Sequence, residues 1–157
     1  MEIIYKKATI DDLDILTETR IEVLKAANQL ADDVDMSDVK KQSMEYYQSA
    51  LKDDTHVAYL IFDEDKFVGA GGISYFKVMP TYHNPTGRKA YIMNMYTAPE
   101  YRRQGIAIHT LDLLVKDARE QGVSVERMKF HALTGQCVLN GEKVLLMKPT
   151  TYMNNSG

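Results

Sequence analysis

The chain of 157 residues carries 19 Lys and Arg against 22 Asp and Glu, a formal net charge of −3. This balance offers no basic surface for nucleic acid, and no apolar run approaches the roughly 20 residues of a membrane span. A single cysteine excludes an internal disulfide, and the opening residues do not resemble a signal peptide. We expect one cytoplasmic globular domain without nucleic-acid or membrane partners.

The first third of the sequence predicts a strand followed by two helices. Residues 2–8 form an apolar and tyrosine-containing run typical of a short strand. Thr9 with Asp12 has the spacing of a capping box, which predicts a helix start there and a helix reaching about Leu30. The acidic stretch "ADDVDMSD" interrupts the pattern, and Ser37 is the expected cap of the second helix. This acidic stretch could attract a cationic amine, but we favour a solvated linker.

The middle of the chain predicts a meander of strands. The runs "THVAYLIF" and "KFVGAGGISYF" flank the turn "DEDK" and form a hairpin, with a sheet covered on both faces. The glycines of "GAGGIS" indicate a bulge or close strand packing. After a loop, "KAYIMNMYT" is a further strand that Pro99 ends.

The next segments complete a mixed α/β (α+β) fold. An apolar face that includes Leu111 and Leu114 predicts a third helix, which ends at Gly122. A fifth strand follows at "SVERMKFHAL".

The stretch "PEYRRQGIAIHTLDLLV" joins the strand before Pro99 to the third helix. A helix N-terminus exposes about four unpaired N–H groups and carries roughly half a positive charge, so it attracts anions. Gly105 has no Cβ and Ala107 is small, so a phosphate can approach the backbone. Arg102 and Arg103 add positive charge. The alternative is a solvated turn, and the tetrapeptide alone does not decide between them.

The wider stretch "YIMNMYTAPEYRRQGIAIHTLDLLVKDAREQGV" resembles the acetyl-CoA-binding core of the GCN5-related N-acetyltransferases. Arg102, Gly105 and Ala107 match the family pattern Arg/Gln-x-x-Gly-x-Gly/Ala, and the likeness covers about residues 1–132. It implies a mixed, mostly antiparallel central sheet flanked by helices. It also implies an N-acetyltransferase that moves an acetyl group from acetyl-CoA to a primary amine of a small molecule or peptide.

The resemblance also implies a cofactor site. The loop backbone would hold the CoA pyrophosphate, and the end of the preceding strand would pair with the pantetheine arm. A splay between that strand and "ERMKFHA" would admit the acetyl group. The cofactor-binding residues expected on this basis are Met95, Tyr96 and Thr97 on the strand, and Arg102, Arg103, Gln104, Gly105, Ile106 and Ala107 in the loop.

No catalytic residue is assigned. Members of this family often carry a carboxylate base on the fourth strand, but "RKAYIMNMYT" contains no acid. Tyr91 is a poor base at neutral pH, and Asn94 hydrogen-bonds an amine without accepting its proton. His109 and His131 fit surface or packing roles better than catalysis. The sequence around His56 indicates no function. The spacing of His, Cys, Asp and Glu does not indicate a metal site.

The last residues depart from the family pattern. Residues 133–157, "LTGQCVLNGEKVLLMKPTTYMNNSG", stand where a tyrosine-bearing helix and two strands are expected, and residues 139–157 resemble a fragment of bacterial peptidyl-tRNA hydrolases. The Asn-Gly pair predicts a hairpin, and we expect this atypical tail to pack on the same domain and cover a sheet edge.

The tail leaves the activity of this chain open. One hypothesis is a truncated acetyltransferase joined to a hydrolase fragment by rearrangement. The alternative function is an acyl-CoA-binding or vestigial module with impaired catalysis. A structural dimerisation domain is a third possibility, and a homodimer is left open in every case.

Overall fold

In a computed structural model, the described part of the protein is residues 2–123 and the backbone of three short strands beyond them. Ten helices and strands are described, besides two 3-10 turns. They are β1 Ile3–Lys7, α1 Leu13–Asn28, α2 Ser37–Ala50, β2 His56–Asp63, β3 Lys66–Lys77, β4 Arg88–Thr97, α3 Ile106–Glu120, β5 Met128–Phe130, β6 Gly135–Leu139 and β7 Glu142–Leu146.

The first five strands form one mixed sheet in the order β1-β2-β3-β4-β5. The pairs from β1 to β4 are antiparallel, and β5 runs parallel to β4 from Ala90↔Met128 to Ile92↔Phe130. This confirms the predicted fold class. β6 and β7 form a separate antiparallel pair, as the hairpin prediction requires. The packing of this tail on the domain falls outside the described side chains and stays a prediction.

Helix starts follow the predicted chemistry at one position and depart from it at another. The Thr9 amide donates to Asp12 Oδ2 at 2.8 Å, which confirms the capping box at the 3-10 turn leading into α1. The helix ends at Asn28, slightly before the expected Leu30. The prediction for Ser37 is wrong: Ser37 is the first residue of α2, and its amide donates to Asp35 Oδ1 at 2.9 Å. The aspartate two residues earlier takes the role expected of the serine.

Apolar side chains cover both faces of the sheet, as the continuous apolar strands predict. On one face, Ile73 and Ile92 pack against Leu111, Leu114 and other residues of α3. On the opposite face, β2 residues such as Leu60 pack with Leu16 of α1 and Tyr47 of α2. Burial on both sides fixes the strand register, because a shift by one residue would exchange the two faces.

The glycine-rich part of β3 serves close packing, as predicted. A Cβ on Gly71 would lie 2.5 Å from the Thr110 methyl group and 2.9 Å from Met95 Sδ, so α3 approaches the sheet closely. Next to it, the β3–β4 ladder shifts between Ala70 and Gly72. The extra residue belongs to β4, where Asn94 has a φ of 60°. This bulge changes the direction of the strand just before Met95.

Candidate functional site

The connection from β4 to α3 is a short, fixed loop that ends in an uncapped helix start. Gly105 is the N-cap of α3 with a φ of 82°, and no side chain caps the helix. The first intrahelical bond runs from the His109 amide to the Gly105 carbonyl at 3.0 Å. By helix geometry, the amides of Ile106, Ala107 and Ile108 have no carbonyl partner within the helix. They can therefore donate to an anion.

The space in front of this helix start is open. A Cβ built on Gly105 would meet no heavy atom within 4 Å, and Gly105 itself is exposed. The following residue, Ile106, is buried with Ile61, Val68 and Ala98, which anchors the first turn of α3 to the sheet. A rigid, electropositive and accessible backbone is the arrangement that a pyrophosphate requires.

Side chains within the loop hold its shape. Arg102 Nε donates to the Thr97 carbonyl at 2.9 Å, and the Tyr101 hydroxyl donates to Asp63 Oδ2 at 2.6 Å. Gln104 Nε2 donates to the Glu100 carbonyl at 3.3 Å. Arg102 therefore braces the loop against the end of β4, besides placing positive charge there. Arg103, at a φ of 63°, keeps an exposed side chain beside it.

The predicted pantetheine-binding segment lies at the end of β4, directly before this loop. On one side its backbone pairs with β3, through Ala70↔Tyr96 and Gly69↔Thr97. On the other side, the described pairing with β5 covers only Ala90–Ile92. Within the described residues, Met95–Thr97 have no strand partner on the β5 side. The geometry accommodates the predicted splay.

A polar cluster lies near the β4 bulge, and no sequence motif indicates it. Arg20 Nη1 of α1 donates to Asn94 Oδ1 at 2.9 Å. In the same region, His56 Nδ1 lies 2.9 Å from the Tyr46 hydroxyl and 3.0 Å from Ser74 Oγ. These residues come from two helices and three strands, so no local pattern could have indicated the cluster.

His56 is the most perturbed histidine of the described part. It is 4% exposed, and burial together with the charge of Arg20 lowers its pKa to about 4. Its Nε2 is buried without a hydrogen-bond partner and lies close to Gly72, where a Cβ would be 3.0 Å away. The imidazole is therefore neutral at pH 7 and a weak base.

The other candidates for proton transfer gain no support. His109 is exposed, and its ring lies 4.2 Å from the ring of Tyr5, which fits the packing role expected for it. His131 lies outside the described residues. No group of three His, Cys, Asp or Glu within the described part has the geometry of a metal site. None of the described helices has the length and apolar character needed to cross a membrane.

Comparison with known proteins identifies the fold. The family model described as "Acetyltransferase (GNAT) family" matches residues 24–133. The chain belongs to this family. A predicted acetyltransferase of Clostridium acetobutylicum, solved with acetyl-CoA, aligns over 99% of this chain and 90% of its own, with a TM-score of 0.73 and 26% identity. A GCN5-related N-acetyltransferase of Ralstonia eutropha aligns over 83% and 84% of the two chains, with a TM-score of 0.70 and 18% identity.

The resemblance to peptidyl-tRNA hydrolases is also confirmed, over part of the chain. The enzyme of Clostridium beijerinckii is 41% identical over 58 residues, which are 37% of this chain and 29% of the hydrolase. That of Finegoldia magna matches to the same extent. The chain thus spans less than a third of these relatives. The matched stretch of 58 residues is longer than the 139–157 segment. If it includes that segment, it begins before residue 133 and therefore overlaps the acetyltransferase match.

Proposed function

We propose that this GNAT-family protein is an acetyl-CoA-dependent N-acetyltransferase acting on a primary amine of a small molecule or peptide. One observation carries the proposal: the uncapped start of α3 at Gly105, open in front, directly follows a β4 end that has one unpaired side within the described residues. The pyrophosphate and the pantetheine arm of CoA need these two surfaces in this order.

The proposed cofactor contacts are backbone contacts. The Arg102–Ala107 loop would donate N–H groups to the pyrophosphate, while Met95, Tyr96 and Thr97 would pair with the amide groups of pantetheine. Arg103 adds an exposed positive charge beside the phosphates. The solved acetyltransferase of Clostridium acetobutylicum contains acetyl-CoA, which supports this choice of cofactor.

The proposed reaction transfers an acyl group directly between two substrates. The amine nitrogen attacks the thioester carbonyl, a C–N bond forms, and the C–S bond breaks. The amine loses one proton and the departing thiolate takes one up, giving an N-acetyl product and free CoA. We assign no general base, because β4 carries no acid and His56, with a pKa of about 4, is too weak.

We propose a monomer or homodimer in a reducing cytoplasm, in keeping with the single cysteine.

A second candidate is a CoA-binding module that has lost turnover. It is favoured by the hydrolase-like stretch, which covers 37% of the chain, and by the separate pairing of β6 with β7. β6 and β7 do not extend the main sheet. The thiol end of the cofactor would therefore have different surroundings from those expected in the family.

Thermal shift with acetyl-CoA, followed by a thiol-release assay across a panel of amines, tests both candidates. A ligand at one hundred times its Kd stabilises the fold by about 2.7 kcal/mol, which corresponds to a rise in Tm of about 5–10 °C at this size. The enzyme requires this rise and thiol release that depends on an amine. The binding module requires the rise without release. No change in Tm would contradict both.

A further inference from the structure

Within the described residues, Arg20 is a half-buried cation without an anionic partner. Its only described hydrogen bond is to the neutral side-chain amide of Asn94. A guanidinium has five N–H donors, so most of its capacity is left for another group. Within the described residues, the ion pairs join Lys6 to Asp12, Lys7 to Asp117 and Lys66 to Glu100, and none of them includes Arg20.

The described groups around Arg20 do not compensate its charge. Among the described residues, the side chains that influence Arg20 electrostatically are the phenols of Tyr46, Tyr47 and Tyr91. Burial raises the pKa of Tyr47 to about 12 and also raises that of Tyr46, so both phenols are neutral at pH 7. His56 is neutral as well. Because a partly desolvated charge without a counter-ion is costly, the arrangement favours an anion from outside the chain.

The position of Arg20 relates this charge to the proposed reaction. Asn94, its hydrogen-bond partner, occupies the bulge of β4 directly before Met95–Thr97. If the pyrophosphate lies at the 102–107 loop and the pantetheine arm follows β4 back from it, the thioester end points toward Asn94. Arg20 then stands at the acceptor end of the cofactor, and the phosphates are bound at the other end.

We infer that Arg20 binds the carboxylate or phosphate of an anionic amine, such as an α-amino acid or an aminoalkyl phosphate, and directs its amino group toward the acetyl group. The inference rests on the proposed function and adds the substrate class. The planar guanidinium suits such oxyanions because it donates two parallel hydrogen bonds. The acidic segment 31–38 would attract a cationic amine instead, and a cationic acceptor tests that alternative.

Paired acceptors that differ only in the anion test the inference. Free amino acids are compared with their amides, phosphoethanolamine with ethanolamine, and spermidine represents cationic amines. We expect kcat/KM to be about ten- to hundredfold higher for the anionic member of the preferred pair, the scale of a charge-assisted hydrogen bond. Which pair shows the preference distinguishes a carboxylate from a phosphate.

Three variants separate charge recognition from structural support. R20Q should lose the anion preference mainly through KM, and R20K should keep part of it. N94G removes the described partner of Arg20 while suiting the left-handed φ at this position, and it should retain the preference. Equal loss in R20Q and N94G would mean that Arg20 only supports the bulge, and would overturn the inference.

Thermal shift measures acetyl-CoA binding in every variant. This measurement separates failure of the inference from failure of the proposed function. If acetyl-CoA stabilises the wild type and amines are acetylated, but acceptor charge has no influence or only spermidine reacts, this inference is wrong and the proposed function stands. If acetyl-CoA stabilises the wild type and no amine is acetylated, the proposed transferase function fails together with the inference, and only cofactor binding stands. If acetyl-CoA does not stabilise the wild type, the proposed function fails first and the inference fails with it.

Discussion

Two glycines at opposite ends of α3 provide a matched test of the phosphate-binding loop. Gly105 before the helix and Gly122 after it have φ values of 82° and 81°. A Cβ at Gly105 would meet nothing within 4 Å, and one at Gly122 would meet only Arg88 Nη1 at 4.0 Å. Replacement by glutamate therefore introduces the same backbone strain without a severe clash at either position. Only Gly105→Glu places a carboxylate where the pyrophosphate is expected.

The expected magnitudes follow from this geometry. A left-handed conformation costs an L-residue roughly 1–2 kcal/mol, and a glutamate at a helix N-terminus recovers up to roughly 1 kcal/mol. Gly105→Glu should therefore fold with a Tm no more than about 8 °C below the wild type. At one hundred times the wild-type Kd, acetyl-CoA should raise the Tm of the wild type and of Gly122→Glu by about 5–10 °C. For Gly105→Glu the rise should be under roughly 1 °C, because like charges oppose each other at the binding position.

Differential scanning fluorimetry with and without acetyl-CoA measures these shifts, and isothermal titration calorimetry gives the Kd of each variant. The same acetyl-CoA shift in Gly105→Glu as in Gly122→Glu would refute the assignment of the loop. Loss of the shift in both variants would attribute the effect to strain in α3 and would refute it equally.

Two further predictions concern stability. Gly71→Ala places a Cβ 2.5 Å from the Thr110 methyl group, so it should lower the free energy of unfolding by about 1–3 kcal/mol in urea titrations, and an unchanged midpoint would contradict the close approach of α3. His56 has a pKa of about 4 when folded and 6.5 ordinarily, so the unfolded chain binds the extra proton between these values. Stability should be full above pH 6.5 and fall toward pH 4 by up to roughly 3 kcal/mol, and a His56→Gln variant with the same pH dependence would contradict this.

The hydrolase-like stretch overlaps the acetyltransferase-like stretch if it includes the tail. The hydrolase-like match is 58 residues long, whereas the tail expected from the sequence was 139–157. A match that includes this tail extends back into residues that also fit the acetyltransferase family, whose model ends at residue 133. The hypothesis of a joined fragment therefore stays open. The two matches overlap, so they do not define a single residue at which the two parts would join.

Local chemistry made much of the fold predictable from the sequence. The Thr9–Asp12 capping box, the hairpin around "DEDK" and Gly122 after α3 each depend on residues close together in the chain. The same holds for the helix start at Gly105, because a proline-ended strand, a glycine and an amphipathic run are all adjacent. The prediction for Ser37 was wrong because α2 begins one residue earlier than expected, where Asp35 accepts hydrogen bonds from the amide and the hydroxyl of Ser37.

Tertiary structure decided the rest, because the remaining features join distant parts of the chain. Arg20 and Asn94 are 74 residues apart, and their contact depends on α1 crossing β4 at its bulge. His56 carries no sequence signal, yet burial beneath α2 and the charge of Arg20 make it the most perturbed histidine described. A sequence specifies which side chains are available and which local turns they favour. Burial, and the loss of water around a charge, exist only once the helices have packed on the sheet.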